Sequence, residues 1–416
     1  MRKERFGWLS ATFLVIANMV GTGIYTTTGF IVEELPAGSG VLLLWVIGGL
    51  AALGGALAYA ELAKLYPRSG GEYHFLSILY HPLLGYIAGL VSLVAGFGAP
   101  IAASAYTFSA YLPFPFSEFQ RKVIAALLVM ALIGVHCLGL SRSARIQNVF
   151  VFFKILLILH LVGGAFFTGN EPQSLTWPSL STKTIQVSAV SLIFISFAYS
   201  GWNAAAYIMS EIPHATRVVP KAIVTGTLIV MSLYVAFNWA LLRFVPVDEL
   251  AGEAAVGRLL AKRLWGEVGE TFFGWGVSVA MVSSVSAMLM IAPRVASVVG
   301  EDYPTLKVLA YRTSRGVPLY ALFTVGIMAW VFIFSASFDA VINYIGFTLS
   351  LFSGMTVLGL FLRYRQSKSL SKLIGVLFLI LTFWMVFNNF WNRPWESLAG
   401  LLTLVVVGSS YFWLRR

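Results

Sequence analysis

Cysteine is nearly absent from this chain, and the single residue, Cys137, lies within an apolar run. One thiol cannot form a disulfide framework, and the sequence has no CxxC pattern that would hold a metal ion. The HExxH zinc motif, the GxSxG nucleophile motif and paired aspartates inside apolar segments are also missing. These absences argue against an intramembrane enzyme, and we expect neither catalysis nor a cofactor.

Charged residues are scarce as well, at 11% of the 416 positions, whereas 58% are hydrophobic and the mean hydropathy is +0.83. A soluble globular protein does not carry so much apolar surface, so the composition indicates a polytopic membrane protein. We interpret the net charge of +11 as a topology signal and expect no nucleic acid partner. No small-residue cleavage site follows a short apolar core near the N-terminus, so we predict an uncleaved first span.

Apolar runs long enough to cross about 30 Å of hydrocarbon recur along the whole chain. We predict twelve spans: 8–33, 40–64, 82–112, 121–140, 143–167, 186–211, 219–245, 271–299, 316–336, 338–363, 371–391 and 396–414. With the N-terminus inside, the cytoplasmic segments carry about twice as many Lys and Arg residues as the outer ones. The bias supports twelve spans with both termini in the cytoplasm. We predict an all-α, multi-pass protein of the cell (inner) membrane.

Two glycines interrupt the first span, in the stretch NMVGTGIY at 18–25. Glycine destabilises a helix interior by about 1 kcal/mol relative to alanine. Backbone that leaves the helix at membrane depth needs partners other than lipid, and its freed N–H and C=O groups can bind an anion and a cation. Close packing of helices through small residues is the alternative interpretation.

A second break-prone stretch, FAYSGWN at 197–203, lies in the middle of the sixth span. Spans one and six cross the membrane in opposite directions, so breaks in both indicate an inverted repeat around a transport site near the midplane. The predicted units are 1–167 with spans one to five, 186–363 with spans six to ten, and 371–416 with two appended spans.

These motifs resemble those of the amino acid–polyamine–organocation superfamily. GTGIY at 21–25 is similar to its G-S/T-G-I-F signature, and AYAELA at 58–63 with YPRSGGEY at 66–73 is similar to its span-two ending and first cytoplasmic loop. FAYSGWN, Glu211 and PKAI at 220–223 resemble the L-type amino acid transporter branch, which more often has glycine where Ser200 stands. Beyond residue 224 the likeness is mainly one of hydropathy. The resemblance implies a LeuT-like 5+5 inverted repeat plus two spans that carries amino acids. We interpret the chain as a bacterial homologue, because it lacks the cysteine that links mammalian members to a heavy chain.

The resemblance places the headgroup of an amino acid at the two breaks. It implies that the α-carboxylate binds the backbone N–H groups of Thr22 and Gly23, with the Thr22 hydroxyl as an additional donor. It implies that the α-ammonium binds the carbonyls of Met19, Phe197 and Ser200, with the ring of Phe197 as a gate. The full set of predicted substrate-binding residues is Met19, Gly21, Thr22, Gly23, Ile24, Phe197, Ala198 and Ser200.

Lys154, Tyr199 and Trp202 are the predicted gating or coupling residues. Lys154 lies about eleven residues into span five, which is about 16 Å deep, and an ammonium group there is costly and usually functional. The resemblance implies that it stands near the Na⁺ position of Na⁺-coupled relatives, as a tethered cation that links span five to the break in span one. Proton coupling through Lys154 and a structural helix–helix pair are the alternatives. Tyr199 and Trp202 either gate the pocket or only pack.

Spans three and eight have no charged residue at depth, in 95–104 and 283–287. This argues against lysine, arginine, glutamate and polyamines as main substrates and favours neutral amino acids. We therefore predict a secondary transporter that exchanges neutral amino acids without Na⁺ by alternating access. A proton-coupled symporter, an exporter and, from a different class, a passive channel stay open as alternatives.

Polar residues near the ends of spans have two interpretations each. Glu61 and Glu211 are either solvated or form an inward gate with a basic residue, which would be Lys64, Arg68 or Arg217. His136 is expected to pack or to be polar at the surface, and Arg294 to anchor span eight at the membrane surface.

Partners are predicted from one loop. In the family that the chain resembles, mammalian members pair with a glycoprotein heavy chain through an extracellular cysteine. The matching loop here, 112–120, has no cysteine. We therefore expect no disulfide-linked heavy subunit, only the lipid bilayer and the neutral amino acid substrates.

Overall fold

The computed structural model describes residues 7–138, 144–167, 172–363 and 369–414. Within these ranges the protein is helical, and the β-type pairing is limited to one isolated bridge between Arg312 and Pro318. Eleven helical segments of the described residues are long and apolar enough to cross a membrane: 8–34, 38–65, 82–111, 118–137, 147–167, 182–211, 215–244, 256–302, 338–363, 373–392 and 394–412. The predicted ninth span, 316–336, is a shorter apolar helix of 17 residues, Leu319–Ser335. The chain is therefore an all-α, multi-pass membrane protein.

The described residues up to 167 form eight α-helices. They are α1 (Trp8–Met19), α2 (Thr22–Glu34), α3 (Gly38–Leu65), α4 (Glu72–Leu79), α5 (Pro82–Val91), α6 (Ala99–Tyr111), α7 (Glu118–Cys137) and α8 (Ala144–Phe167). A π-helical segment over Ser92–Gly98 joins α5 to α6, so these three pieces form one span. Such π-helical segments are frequent at functional sites.

The described residues from 172 onward form eight further α-helices and two 3₁₀ helices. The α-helices are α9 (Thr182–Tyr199), α10 (Ala215–Phe244), α11 (Val247–Leu250), α12 (Val256–Asp302), α13 (Leu319–Ser335), α14 (Phe338–Arg363), α15 (Ser369–Asn392) and α16 (Pro394–Leu414). The 3₁₀ helices cover Ala204–Glu211 and Pro304–Ala310.

Local sequence signals set several helix ends. α7 begins with a capping box, in which the Ser117 hydroxyl accepts a hydrogen bond from the Gln120 N–H and the Gln120 side chain accepts one from the Ser117 N–H. This cap starts the helix three residues before the predicted span at 121. α12 is one kinked element that contains both a surface helix and the predicted span 271–299, with Gly266 at φ 68° at the kink.

Burial separates central from peripheral helices. In the most apolar window of the segments 8–34, 82–111 and 256–302, 78% of the residues are buried, compared with 17% in 394–412 and 28% in 118–137. Spans one, three and eight therefore form the inside of the bundle, while α16 and α7 present most of their surface outward. In a membrane protein that outward surface faces lipid.

Candidate functional site

Span one is broken between α1 and α2. α1 ends at Met19, and the helix resumes at Thr22 after Val20 (φ −75°, ψ 85°) and Gly21 (φ −130°, ψ −147°). The first N–H groups of a helix have no partner within that helix, and they lie at the positive end of its dipole. The start of α2 is thus a place where the backbone of Thr22 and Gly23 can bind an anion.

Span six is broken at the corresponding place. α9 ends at Tyr199, Ser200 is extended (φ −60°, ψ 156°), and Gly201 has φ 99°, a left-handed conformation that favours glycine. The chain then continues as the 3₁₀ helix Ala204–Glu211 rather than as an α-helix. The predicted span 186–211 is therefore two helical pieces joined by a non-helical segment, 200–203.

The two breaks contact each other through glycines. A Cβ atom on Gly23 would lie 2.3 Å from the Cα of Ala198, and one on Gly201 would lie 2.8 Å from the carbonyl carbon of Asn18. A Cβ on Gly21, by contrast, would meet nothing closer than 3.8 Å. Close approach of the two backbones thus requires glycine at 23 and 201, and not at 21.

A cavity of about 100 Å³ lies between the two breaks. Nine of the predicted site residues line it: Met19, Gly21, Thr22, Gly23, Phe197, Ala198, Tyr199, Ser200 and Trp202. Ile24 is fully buried and lies outside this lining, as does Lys154. The volume is enough for several water molecules or a small organic ligand, since one water needs about 10–15 Å³ on this scale.

Six further elements contribute to the cavity wall. The residues are Gly48, Ala51 and Ala52 of α3, Glu72 of α4, Gly96, Phe97, Pro100 and Ser104 of span three, Met288 of α12, Leu349, Ser350 and Ser353 of α14, and Phe378, Thr382 and Met385 of α15. Sequence reasoning missed the contributions of α3, α4 and α15. Glu72 was visible in the YPRSGGEY motif, but nothing in a single sequence shows that this loop reaches the cavity.

Lys154 is fully buried and binds the broken part of span one. Its Nζ atom donates to the carbonyls of Ala17 at 3.3 Å and Val20 at 3.0 Å, and to the Ser284 hydroxyl at 2.7 Å. The Ser284 hydroxyl in turn donates to the Val20 carbonyl at 3.1 Å. One ammonium group from α8 therefore connects the end of α1 with α12 and supplies donors to carbonyls that the helix break leaves free.

The carbonyl of Met19 already accepts two hydrogen bonds. They come from the Tyr234 hydroxyl at 2.6 Å and the Gly21 N–H at 2.9 Å. A carbonyl oxygen has two lone pairs, so the predicted contact of a substrate ammonium with Met19 requires Tyr234 to move. The carbonyl of Phe197 accepts one bond, from the Ser200 N–H at 2.9 Å.

The aromatic residues of the span-six break differ in their surroundings. The Tyr199 hydroxyl donates to the Trp45 carbonyl at 3.1 Å, and its ring lies edge-on to Trp45. Trp202 packs at a centroid distance of 4.6 Å on Tyr59. Both rings are held by neighbouring helices as well as lining the cavity, whereas Phe197 lines it as a buried ring of the last turn of α9.

The ion pairs near the predicted cytoplasmic ends differ in part from those expected. Glu61 pairs with Lys64 at 3.1 Å on the surface, but Glu211 pairs with Arg294 at 2.7 Å rather than with Lys64, Arg68 or Arg217. Arg294 is therefore tied to the end of span six and is not only a surface anchor. The prediction for Glu211 was wrong because it considered only Lys64, Arg68 and Arg217 as partners, whereas packing brings α12 with Arg294 against the 3₁₀ helix.

Arg68 instead binds Asp302, at the end of α12. Its Nη2 atom lies 2.8 Å from both carboxylate oxygens, and the Tyr73 hydroxyl donates to the same carboxylate at 2.5 Å. The bond to Asp302 raises the pKa of Arg68, and burial together with the Arg68 charge lowers the pKa of His74 to about 4. His74 is thus neutral at pH 7 and adds no competing charge to this pair.

His136 is buried, with its Nε2 atom 3.1 Å from the Ser286 hydroxyl. Among the described residues there is no group of three or more His, Cys, Asp or Glu residues that is arranged to hold a metal ion. His136 is therefore a packed polar residue that connects α7 to α12.

Two broken helices face one cavity inside a bundle of apolar helices, an arrangement typical of secondary transporters. The profile of the family described as "Amino acid permease" matches residues 6–409. The chain belongs to this family, within the amino acid–polyamine–organocation superfamily, and the resemblance found in its motifs is confirmed. Membership in a family of permeases supports amino acid transport and not enzymatic activity.

Two relatives cover nearly the whole chain. The b(0,+)-type amino acid transporter 1 of Homo sapiens is 26% identical over an alignment of 434 positions that covers 99% of this chain and 88% of the transporter. The Large neutral amino acids transporter small subunit 2 of Mus musculus is 25% identical over 431 positions, covering 99% of this chain and 81% of that protein. These are amino acid transporters to which the chain is similar from end to end.

Proposed function

We propose that this protein exchanges neutral amino acids across the cell membrane by alternating access and without Na⁺. The observation that carries the proposal is the cavity between the two helix breaks, with backbone donors of α2 at one wall and the last turn of α9 at the other. A zwitterion needs donors for its carboxylate and acceptors for its ammonium, and two antiparallel half-helices supply both.

The headgroup is proposed to bind across the breaks. The carboxylate binds the N–H groups of Thr22 and Gly23, while the ammonium binds the carbonyls of Phe197 and Ser200. The Thr22 hydroxyl donates to the Thr107 hydroxyl at 2.8 Å, so it needs to rotate before it can serve as an extra donor. Met19 joins the ammonium site only if Tyr234 releases its carbonyl.

Lys154 supports transport without Na⁺. Its ammonium contacts the Ala17 and Val20 carbonyls and the Ser284 hydroxyl, which are oxygen ligands of the kind a Na⁺ ion needs. A fixed positive charge at about 3 Å from these oxygens disfavours a second cation by Coulomb repulsion. Without a coupling ion, a carrier can concentrate one amino acid only by moving another down its concentration gradient. This is exchange.

The cavity wall favours neutral side chains. Among its described residues the one Asp, Glu, Lys or Arg is Glu72, and three protein donors already bind its carboxylate. The side-chain region contains apolar Phe97, Met288 and Leu349. One of the similar proteins is named for large neutral amino acids, which agrees with this chemistry.

The test is uptake of a radiolabelled mixture of neutral amino acids into proteoliposomes that are empty or preloaded with unlabelled amino acids. Uptake into the empty and into the preloaded proteoliposomes is measured in Na⁺ buffer and in choline buffer at equal pH. We expect uptake that needs internal substrate and is equal in the two buffers.

Uptake into empty vesicles driven by a Na⁺ or proton gradient would reject exchange and leave a symporter. Passive flux without stimulation by internal substrate would indicate a channel. The absence of flux for every neutral amino acid would reject the substrate class, and cationic amino acids and polyamines would be tested next.

A further inference from the structure

The loop between α3 and α4 lies along the broken part of span six. The Gly70 N–H donates to the Tyr207 carbonyl at 3.3 Å, and the Ser69 hydroxyl accepts from the Ser210 N–H at 2.9 Å. Gly71 has φ 54°, and a Cβ atom there would lie 2.4 Å from the Tyr207 ring. The backbone of this loop is therefore docked against the 3₁₀ helix that follows the break.

Glu72 extends this contact to the cavity. The residue is only 4% exposed and lines the cavity wall. Asn203 Nδ2 donates to Oε1 at 2.5 Å, the Tyr59 hydroxyl donates to Oε1 at 2.8 Å, and the Tyr207 hydroxyl donates to Oε2. One carboxylate thus connects the end of α3, the first turn of α4 and the last residue of the span-six break.

A buried carboxylate is costly unless hydrogen bonds compensate its lost hydration. Here the donors come from α3 and from both sides of the start of the 3₁₀ helix, and hydrogen bonds to an ionised acceptor are about twice as strong as neutral ones. The residues just before Asn203 lie between α9 and the 3₁₀ helix, outside the regular hydrogen bonding of either. The Asn203 side chain is therefore a point at which the break is fixed to the rest of the bundle.

We propose that Glu72 is a positioning residue for substrate binding, which holds Asn203 and thereby sets the geometry of the 200–203 break. It acts on the substrate site without contacting the substrate. The inference rests on the proposed function, because the break is the wall that binds the substrate ammonium.

Reversing the hydrogen bond tests the pair. Glu72→Gln replaces one of the two acceptor oxygens with an NH2 group, so either Asn203 and Tyr59 or Tyr207 loses its acceptor. Asn203→Asp places a second carboxylate against Glu72. In the double variant Glu72→Gln/Asn203→Asp, the amide introduced at position 72 donates to the carboxylate introduced at position 203.

The Tyr207 hydroxyl can follow this exchange. In the native protein it accepts from Asn203 at 3.2 Å and donates to Glu72. In the double variant the new amide nitrogen at position 72 takes the place of Oε1 and donates to the new carboxylate at position 203, so the Tyr59 hydroxyl accepts from that nitrogen instead of donating to a carboxylate oxygen. The Tyr207 hydroxyl donates to the amide oxygen in the place of Oε2 or to the new carboxylate. The double variant therefore restores the hydrogen bond between positions 72 and 203 with donor and acceptor exchanged.

The first readout is the KM and maximal rate of exchange in proteoliposomes. We expect each single variant to raise KM about tenfold, since leaving a buried polar group unpaired has an effect of that size, with a smaller change in maximal rate. The double variant should return KM to within about threefold of the wild-type value. Glu61→Gln, which removes a surface carboxylate paired with Lys64, is the matched control and should leave KM unchanged.

The second readout does not depend on which substrate is carried. Cys137→Ser removes the one native thiol, and Ser200→Cys then reports access to the break through its rate of maleimide labelling in membranes. Glu72→Gln and Asn203→Asp should each raise that rate about tenfold, as for KM, and the double variant should lower it again. If wild-type protein shows no exchange, the proposed function fails while the labelling still decides the role of Glu72.

Three results would overturn the inference. The first is wild-type labelling and wild-type KM in both single variants. The second is a double variant as impaired as the singles combined, since that means two independent structural defects. The third is a loss confined to lysine and arginine, which would mean that Glu72 contacts the substrate directly. If Glu72→Gln is not recovered from membranes, Tyr207→Phe replaces it, with an expected rise of about threefold in both quantities.

Discussion

The two helix breaks are stabilised by groups of opposite charge. At the break in span one, the ammonium of Lys154 binds main-chain carbonyls, and those carbonyls stay fixed to α8 and α12. At the break in span six, the carboxylate of Glu72 binds side-chain donors that belong to Asn203 and Tyr207. One break is therefore held through its backbone by a distant helix, and the other through side-chain hydrogen bonds to the first residue of α4.

This difference matches the substrate that we propose. A cation near the end of α1, together with the positive end of α2, makes the span-one break the side that attracts a carboxylate. An anion behind the span-six break makes that side more favourable for an ammonium group. The arrangement is complementary to a zwitterion held in one orientation, with its charged ends bound by different spans.

The largest effect is expected where the two breaks touch. Gly23→Val introduces a Cβ atom 2.3 Å from the Cα of Ala198, and backbone cannot move aside as a flexible side chain can. We expect exchange to fall more than about 100-fold, below detection, while the protein is still found in the membrane. Gly163→Val is the control, because a Cβ atom there meets nothing within 4 Å. Normal uptake by Gly23→Val would reject the headgroup site.

The next largest effect is expected for the cation at the span-one break. Lys154→Met keeps most of the length of the side chain but leaves the Ala17 carbonyl and the Ser284 hydroxyl without the ammonium donor, while the Val20 carbonyl keeps only its bond from Ser284. Each buried polar group left unpaired costs about 1–3 kcal/mol, so we expect exchange to fall about 100-fold. The fall is measured by comparing exchange rates of the variant and the wild type in proteoliposomes of equal protein content. A variant within about twofold of wild type would show that the ammonium is not needed to hold the break.

A smaller effect is expected for the hydroxyl that shares this network. Ser284→Ala removes the bond to Lys154 at 2.7 Å and the bond to the Val20 carbonyl at 3.1 Å, but the ammonium keeps its two carbonyl acceptors. A net contribution of about 1 kcal/mol corresponds to a fall of about fivefold in exchange, measured in the same proteoliposome assay. If Ser284→Ala were as impaired as Lys154→Met, then α12 rather than the backbone of span one would be the main partner of Lys154.

The smallest effect is expected at the surface, away from both breaks. Arg294 and Glu211 connect α12 with the end of span six, but their side chains are 22% and 37% exposed, and partly exposed ion pairs contribute about 0–1 kcal/mol. We expect Arg294→Ala to change exchange by about twofold or less. A fall beyond about tenfold, measured alongside Glu211→Gln, would instead show that this pair is an inward gate.

The positions of the breaks could be predicted from the sequence, but their contacts could not. Glycine costs helix stability wherever it stands in a helix, so GTG at 21–23 and SG at 200–201 mark interruptions without any knowledge of neighbours. Which of these glycines is sterically required depends on what lies opposite it. A Cβ atom added to Gly23 or Gly201 would lie within 3 Å of backbone atoms of the other span, whereas one added to Gly21 would not. The depth of Lys154 followed from counting residues, whereas its three acceptors come from two other spans.

Local structural preferences can be predicted from the sequence, whereas the side-chain contacts between distant helices cannot. Hydropathy, helix caps and break-prone residues act over a few residues, so the sequence by itself determined a multi-pass helical protein, the regions of most of its spans and the two interrupted helices. The partners of Glu211 and Arg68, the role of α15 in the cavity wall and the burial of Glu72 against Asn203 were decided only by tertiary structure. These hydrogen-bonded pairs join residues more than 80 positions apart, and packing of whole helices, rather than any local preference, brings them together.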